Sequence, residues 1–174
     1  VASNKIQMVV GGTLFHFGVL TSTMHMAWVR SVGGRLKSDY SYSPAVYNNF
    51  PWPDLSPPQP ESASAGGGAN DKHRPAIESA AQGVLDARAQ FPDATLADLY
   101  DPLTMPPALV KAHTTLDRAV DAAYLAAEKA AGRKPPKLGT DAERVAFLLE
   151  RYQALTSLLP TTKPKKTRKP RKEA

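Results

Sequence analysis

Apolar positions fall into distinct patterns along the chain. Residues 5–10 and 13–20 are dense in β-branched and aromatic side chains and flank Gly11-Gly12. A glycine pair between two β-prone runs predicts a hairpin, because glycine supplies the positive φ that tight turns need. His16 then falls in a strand-like run beside Phe15 and Phe17. Thr21 or Ser22 is placed to cap a helix reaching about Val32, with Met24, Ala27, Trp28 and Val32 on one face. Gly33-Gly34 stops this helix through the left-handed closing conformation that glycine tolerates. Residues 35–47 read as extended or looped chain, and Pro51 and Pro53 prevent regular structure after them.

From residue 71 the period changes from strand-like to helical. Asp71 is a plausible cap and Pro75 suits a first turn. Ile77, Ala80, Ala81, Val84 and Leu85 then recur at helical spacing until Pro92. A short turn around residues 96–100 follows. Pro106-Pro107 opens a long helix carrying Leu109, Val110, Leu116, Val120, Tyr124 and Leu125, closed near Gly132. Thr140-Asp141-Ala142-Glu143 has capping-box spacing and introduces Val145, Phe147, Leu148, Leu149, Tyr152 and Leu155. Three amphipathic helices with short connections predict a small bundle. The fold class is therefore α+β: a small mixed strand and helix segment, then a mainly α-helical bundle of about three helices, then a disordered basic tail. Residues 58–70 are rich in Pro, Ser and Gly and cannot repay their ordering entropy by burial, so they read as a linker.

Charge sharpens this division. Residues 1–53 carry a net charge of +3, residues 54–162 a net −3, and residues 163–174 hold seven basic side chains against Glu173. The pI near 9.6 thus reflects the last dozen residues, and it is no evidence for a basic folded surface. The absence of cysteine excludes disulfides and cysteine-based metal sites, and fits a cytosolic setting. No apolar run reaches the roughly 18 residues of a membrane span, so no membrane partner is expected. The start lacks an initiator Met and any signal or transit pattern, which points to a non-standard start or to the middle of a longer protein.

A complete catalytic site is not expected within the chain. Gly66-Gly67-Gly68 lies in polar linker sequence without a preceding strand, so it reads as spacer and not as a cofactor loop. In Asn48-Asn49-Phe50-Pro51-Trp52-Pro53 the prolines follow the first aromatic, unlike the Asn/Asp-Pro-Pro-aromatic motif that holds a flipped adenine. Phe50 and Trp52 are expected to pack at a domain edge, although part of a recognition domain alone could expose Trp28 and Phe50. His16, His25, His73 and His113 have no ligand spacing, so no metal site is expected. Asp98 and Asp101, beside Tyr100, read as solvated caps.

The run Arg30-Ser31-Val32-Gly33-Gly34-Arg35-Leu36-Lys37-Ser38-Asp39-Tyr40-Ser41-Tyr42-Ser43 interleaves cations, hydroxyls and tyrosines after a glycine-stopped helix. Arg and Lys can pair with phosphates, Arg can form two hydrogen bonds to guanine, and Ser and Tyr can add short bonds to the backbone. On composition alone, a solvated turn with ordinary surface charge remains open as well.

Longer runs give a family resemblance. Phe17-Gly18-Val19-Leu20-Thr21-Ser22-Thr23-Met24-His25-Met26-Ala27-Trp28-Val29-Arg30, then Gly34-Arg35-Leu36-Lys37-Ser38-Asp39-Tyr40-Ser41-Tyr42-Ser43, then Val46-Tyr47-Asn48-Asn49-Phe50-Pro51-Trp52-Pro53, resemble the end of a target-recognition domain. The family is that of the class I DNA methyltransferases of the MmeI-like, type IIL restriction-modification group. Ala80-Ala81-Gln82-Gly83-Val84-Leu85-Asp86-Ala87-Arg88 and Ala94-Thr95-Leu96-Ala97-Asp98-Leu99-Tyr100-Asp101-Pro102-Leu103-Thr104-Met105-Pro106-Pro107 are similar to its helical C-terminal domain. The resemblance implies methyl transfer from S-adenosylmethionine to adenine N6 in a specific double-stranded DNA sequence, with a nuclease fused in some members. It implies no cofactor and no catalytic residue in this chain, and makes the remainder of the methyltransferase its partner. It divides the chain into the end of a recognition domain (1–57), a linker (58–70), a helical domain (71–160) and a tail (161–174). Arg30, Arg35, Lys37, Ser38, Tyr40 and Tyr42 are the expected DNA-binding residues. The alternative is a non-catalytic helical protein-interaction module whose basic tail alone touches nucleic acid.

Overall fold

The computed structural model describes residues 7–37, 39–54 and 72–157. The expected linker at 58–70, the expected tail at 161–174, residues 5 and 6, the Asp71 cap and Ser38 lie outside these described residues.

Gly11 takes a positive φ of 69°, and the Gly12 amide donates to the Val9 carbonyl at 3.2 Å, so a turn forms where expected. Beyond this turn the chain enters a helix, α1 (Leu14–Thr21), in place of the predicted second strand. His16 does not lie in a strand: its Nδ1 accepts from the Thr13 amide at 3.1 Å and closes the helix start. The aromatic run misled because β-propensity measures fit to a half-buried surface, and here burial selects the helix. Phe15 and Val19, four residues apart, are both buried in the core. Gly18 lies between them on the side facing the next segment, where an added Cβ would come within 2.8 Å of Ile77 Cγ2.

Helix α2 (Thr23–Val32) has Ser22 as its N-cap, as predicted. Its Thr23 amide also donates to Asp117 Oδ1 at 2.7 Å, so a side chain from far along the chain completes the cap. Met24, Ala27 and Trp28 are buried, but Val32 is 39% exposed and leaves the expected face. Gly33 ends the helix with φ −69° and ψ 141°, an extended conformation and not the left-handed one expected. Glycine is required there by space, since a Cβ would land on the Val29 carbonyl oxygen. Strands β1 (Gly34–Leu36) and β2 (Asp39–Ser41) then form an antiparallel hairpin with Arg35 opposite Tyr40. Pro44 opens a short helix α3 (Pro44–Asn48), so the region expected to be looped is largely regular.

Helix α4 (His73–Ala89) carries Pro75 in its first turn, α5 (Leu96–Leu99) is the expected short turn, and α6 (Pro107–Ala130) begins after Pro106. Gly132, with φ 68°, closes α6. Helix α7 (Asp141–Thr156) starts with the reciprocal Thr140–Glu143 cap. The described residues thus combine seven helices with one two-stranded sheet. Val110, Leu149 and Leu155, predicted on apolar faces, are exposed at 46%, 39% and 69%.

One apolar cluster spans both halves of the chain. Phe15, Val19, Met24, Trp28, Val46 and Phe50 pack with residues of α4, α6 and α7 such as Ile77, Val84, Leu116, Val120 and Leu148. Trp28 and Phe50 are 2% and 3% exposed, so the expectation that they could be laid bare is corrected. The most extensive pairings are α4 with α6, α1 with α4 and α2 with α7. The first segment therefore uses the helices of the second as the floor of its own core.

Candidate nucleic-acid interface

The hairpin leaves the C-terminal end of α2, and three contacts hold its base to the core. Trp28 Nε1 donates to the Val46 carbonyl at 3.0 Å, which ties α3 to α2. His25, buried on α2, packs nearly perpendicular to Phe50 with ring centroids 4.5 Å apart. Its Nε2 lies 3.0 Å from the hydroxyl of Tyr42, just past β2. Burial lowers the His25 pKa from 6.5 to about 4, so its ring is neutral at neutral pH. Burial, followed by the nearby Tyr47, raises that of Tyr42, which keeps its proton.

At the other end the hairpin presents polar groups to solvent. Arg35 is exposed; its guanidinium stacks over the Tyr40 ring at 4.4 Å, and its Nη2 donates to the Tyr40 hydroxyl at 2.8 Å. Register accounts for the contact, since the two residues are cross-strand partners. Lys37 occupies the turn with a positive φ of 57°, the only such non-glycine position among the described residues. Its side chain is exposed. Tyr40 and Tyr42 are 38% and 36% exposed.

The six expected contact residues are not equivalent in this arrangement. Arg35, Lys37 and Tyr40 share the hairpin, and Tyr42 follows it at the edge of a groove of about 640 Å³ also lined by Val9, Leu20, His25 and Met26. Ser38 lies outside the described residues. Arg30 sits in the last turn of α2 and donates from Nη1 to Asp141 Oδ2, on α7, at 2.7 Å. Both side chains are nearly half exposed, so the pair contributes at most about 1 kcal/mol. Sequence reasoning did not single out His25 or Asp141 as supports. Their partners are 17 and 111 residues away, beyond the reach of local spacing.

The described residues do not fit S-adenosylmethionine. That group needs a glycine loop after a parallel strand, set against a helix N-terminus. The sheet described has two antiparallel strands of three residues, and its exit leads to Pro44. Asp98 caps Thr95 and Asp101 accepts from the Leu103 amide, as solvated caps do. No helix among the described residues is long and apolar enough to cross a membrane.

Comparison with known proteins finds relatives for both halves of the chain. Residues 1–54 match the family described as MmeI, target recognition domain, and residues 69–160 match MmeI, C-terminal domain. A DNA methyltransferase A of Bacillus subtilis (strain 168) is 37% identical over 157 residues, covering 90% of this chain and 15% of that protein. A solved chain described as the type IIL restriction-modification enzyme MmeI in complex with DNA is 46% identical, with a TM-score of 0.67. That match covers 84% of this chain and 17% of the solved one. The chain therefore spans roughly a sixth of the length of these relatives. It belongs to the MmeI-like family of DNA methyltransferases and carries sequence of that family's target-recognition and C-terminal domains.

Proposed function

We propose that the hairpin and its flanks contact double-stranded DNA on behalf of a sequence-specific adenine-N6 methyltransferase. Arg35, Lys37, Tyr40 and Tyr42 form the contact face, Arg30 stands at its border, and Ser38 is a further DNA-contacting residue in this reading. The observation that carries this reading is the exposed hairpin itself, with Lys37 at its turn and a guanidinium held in place over Tyr40. A stacked guanidinium loses less freedom on binding and can present two donors to guanine or to a phosphate. Residues 1–57 serve as the end of the recognition domain, and residues 71–160 are a helical support joined by the stretch 58–70. Methyl transfer from S-adenosylmethionine belongs to a catalytic domain that this chain accompanies in the cytoplasm. The chain alone performs no chemistry.

The test is binding of the chain to duplex DNA across a salt series. Lys37→Ala is expected to weaken binding to all sequences alike and to lower the salt slope by about 1, and Arg35→Ala to cost about 1–3 kcal/mol. Unchanged affinity in both variants overturns the reading.

A further inference from the structure

The inference rests on the DNA-contacting reading above and deepens it. His25 and Tyr42 share one hydrogen bond, between Nε2 and the phenolic oxygen at 3.0 Å. With the ring neutral and the phenol protonated, the pair carries two polar hydrogens, and only one of them can lie between the two groups. The second is either on Nδ1 or on the phenolic oxygen, pointing away from the ring. Nδ1 is buried and meets no partner among the described residues. A proton there would be a buried donor without an acceptor, a defect that folded proteins rarely carry. The alternative leaves only a bare lone pair inside. Nε2–H then donates to the phenolic oxygen, and the Tyr42 hydrogen is free.

That hydrogen has somewhere to go. Tyr42 is 36% exposed and lines the open groove beside the hairpin. For the second histidine–tyrosine pair the same reasoning gives the opposite polarity. The Tyr100 hydroxyl accepts from Arg88 at both Nε (2.9 Å) and Nη2 (2.5 Å), so its own hydrogen goes to His113 Nε2 at 2.6 Å. No guanidinium contact is described at Tyr42, and there the partnerless Nδ1 argues for the imidazole as the donor. We propose that His25 is a positioning residue that fixes Tyr42 as an outward hydrogen-bond donor to a DNA phosphate oxygen. Phosphate oxygens only accept, and Arg35 and Lys37 on the preceding hairpin supply positive charge that attracts the same backbone.

Two measurements on the full chain test this. Nitrogen-15 NMR of the imidazole rings is expected to show His25 as the neutral Nε2–H tautomer at neutral pH; the Nδ1–H tautomer overturns the proposal. Binding to a random-sequence duplex is expected to fall roughly tenfold in Tyr42→Phe, the loss of one hydrogen bond to a charged group. His25→Phe should fall similarly in the native background and add no further loss to Tyr42→Phe. His25→Gln, which keeps a donor, should recover most of that affinity. Native affinity in Tyr42→Phe, or full additivity of the two phenylalanine variants, overturns it. If Arg35→Ala and Lys37→Ala weaken binding while Tyr42→Phe does not, the hydroxyl contact alone is wrong. If none of the three matters, the DNA-contacting reading falls with it.

Discussion

Gly33 and Gly83 show how little residue type alone says about a glycine. Gly33 has an ordinary φ of −69°, yet a Cβ would collide with the Val29 carbonyl oxygen, which is fixed backbone. Gly33→Ala is expected to destabilise the protein by about 1–3 kcal/mol, as overpacking does, and to disturb the hairpin that starts at the next residue. Gly83 lies inside α4 with nothing within 4 Å of where a Cβ would stand, so Gly83→Ala should stabilise by about 0.5–1 kcal/mol. Urea midpoints moving in the same direction for both variants would contradict this account. That Gly33 stops the helix was legible in the sequence; the reason was not, because it is a steric obstruction by the Val29 carbonyl and not a left-handed turn. His25 gives a pH prediction at the same scale. Its folded pKa, about 4, lies below the ordinary 6.5, so between these values the unfolded chain binds a proton that the native state refuses. Stability is therefore fully present above about pH 6.5 and is lost as pH falls toward 4, by about 3 kcal/mol at full extent. His73 and His113 are shifted down as well and add to the same trend. A pH series of chemical denaturation on His25→Gln should show a shallower decline than the native chain; an identical decline would remove His25 from the explanation.

Between elements, the polar joints are as specific as the apolar ones. Glu128, on α6, is 4% exposed and takes two arginines, Arg133 and Arg151 of α7. The hydrogen bond from Arg133 is the first cause of its lowered pKa, and Arg151 also donates to the Trp52 carbonyl at 3.1 Å. One carboxylate thus joins α6, α7 and the end of the first segment. Arg133 is largely exposed and loses little without it, whereas Arg151 is only 11% exposed and would be left as a buried cation. Glu128→Ala is accordingly expected to cost about 3 kcal/mol, with Arg133→Ala costing far less, in thermal or urea unfolding. Equal costs would show that the exposed arginine carries the joint. Most elements were legible from helical spacing and caps: α2, α4, α5, α6 and α7 begin and end close to the expected places. Helix α3 fell where loop was expected, and α1 was hidden because Phe15 and Phe17 are as apt for a strand as for a helix. The face of Gly18 that decides the matter is only meaningful once α4 is beside it. The contact residues were legible as a cluster of types, but the stacking of Arg35 on Tyr40 needed the hairpin register, and the pairing of Arg30 with Asp141 needed the packing of α2 on α7.

For the whole molecule, the decisive fact is that the two segments share their interior. Periodicity tells which face of a helix is apolar and says nothing about what covers it, so the sequence suggested a self-contained bundle beside a separate recognition piece. In the structure α1 packs on α4, α2 packs on α7, and Asp117 of α6 caps α2. The hairpin is therefore aimed by the helices of the C-terminal half, since its base contacts, Trp28 and Phe50, belong to the cluster that those helices complete. This has a clean spectroscopic consequence, because Trp28 and Trp52, the chain's two tryptophans, are both in the first segment. Leu116 is fully buried on α6 and lies against Gly18 of α1. Leu116→Ala is expected to cost about 2–5 kcal/mol. If the core is single, tryptophan fluorescence and far-UV circular dichroism will lose their native signals at one shared, lowered denaturant midpoint. Should fluorescence keep the native midpoint while the helical signal melts earlier, the halves fold separately, and the helices cannot be what orients the DNA-facing hairpin.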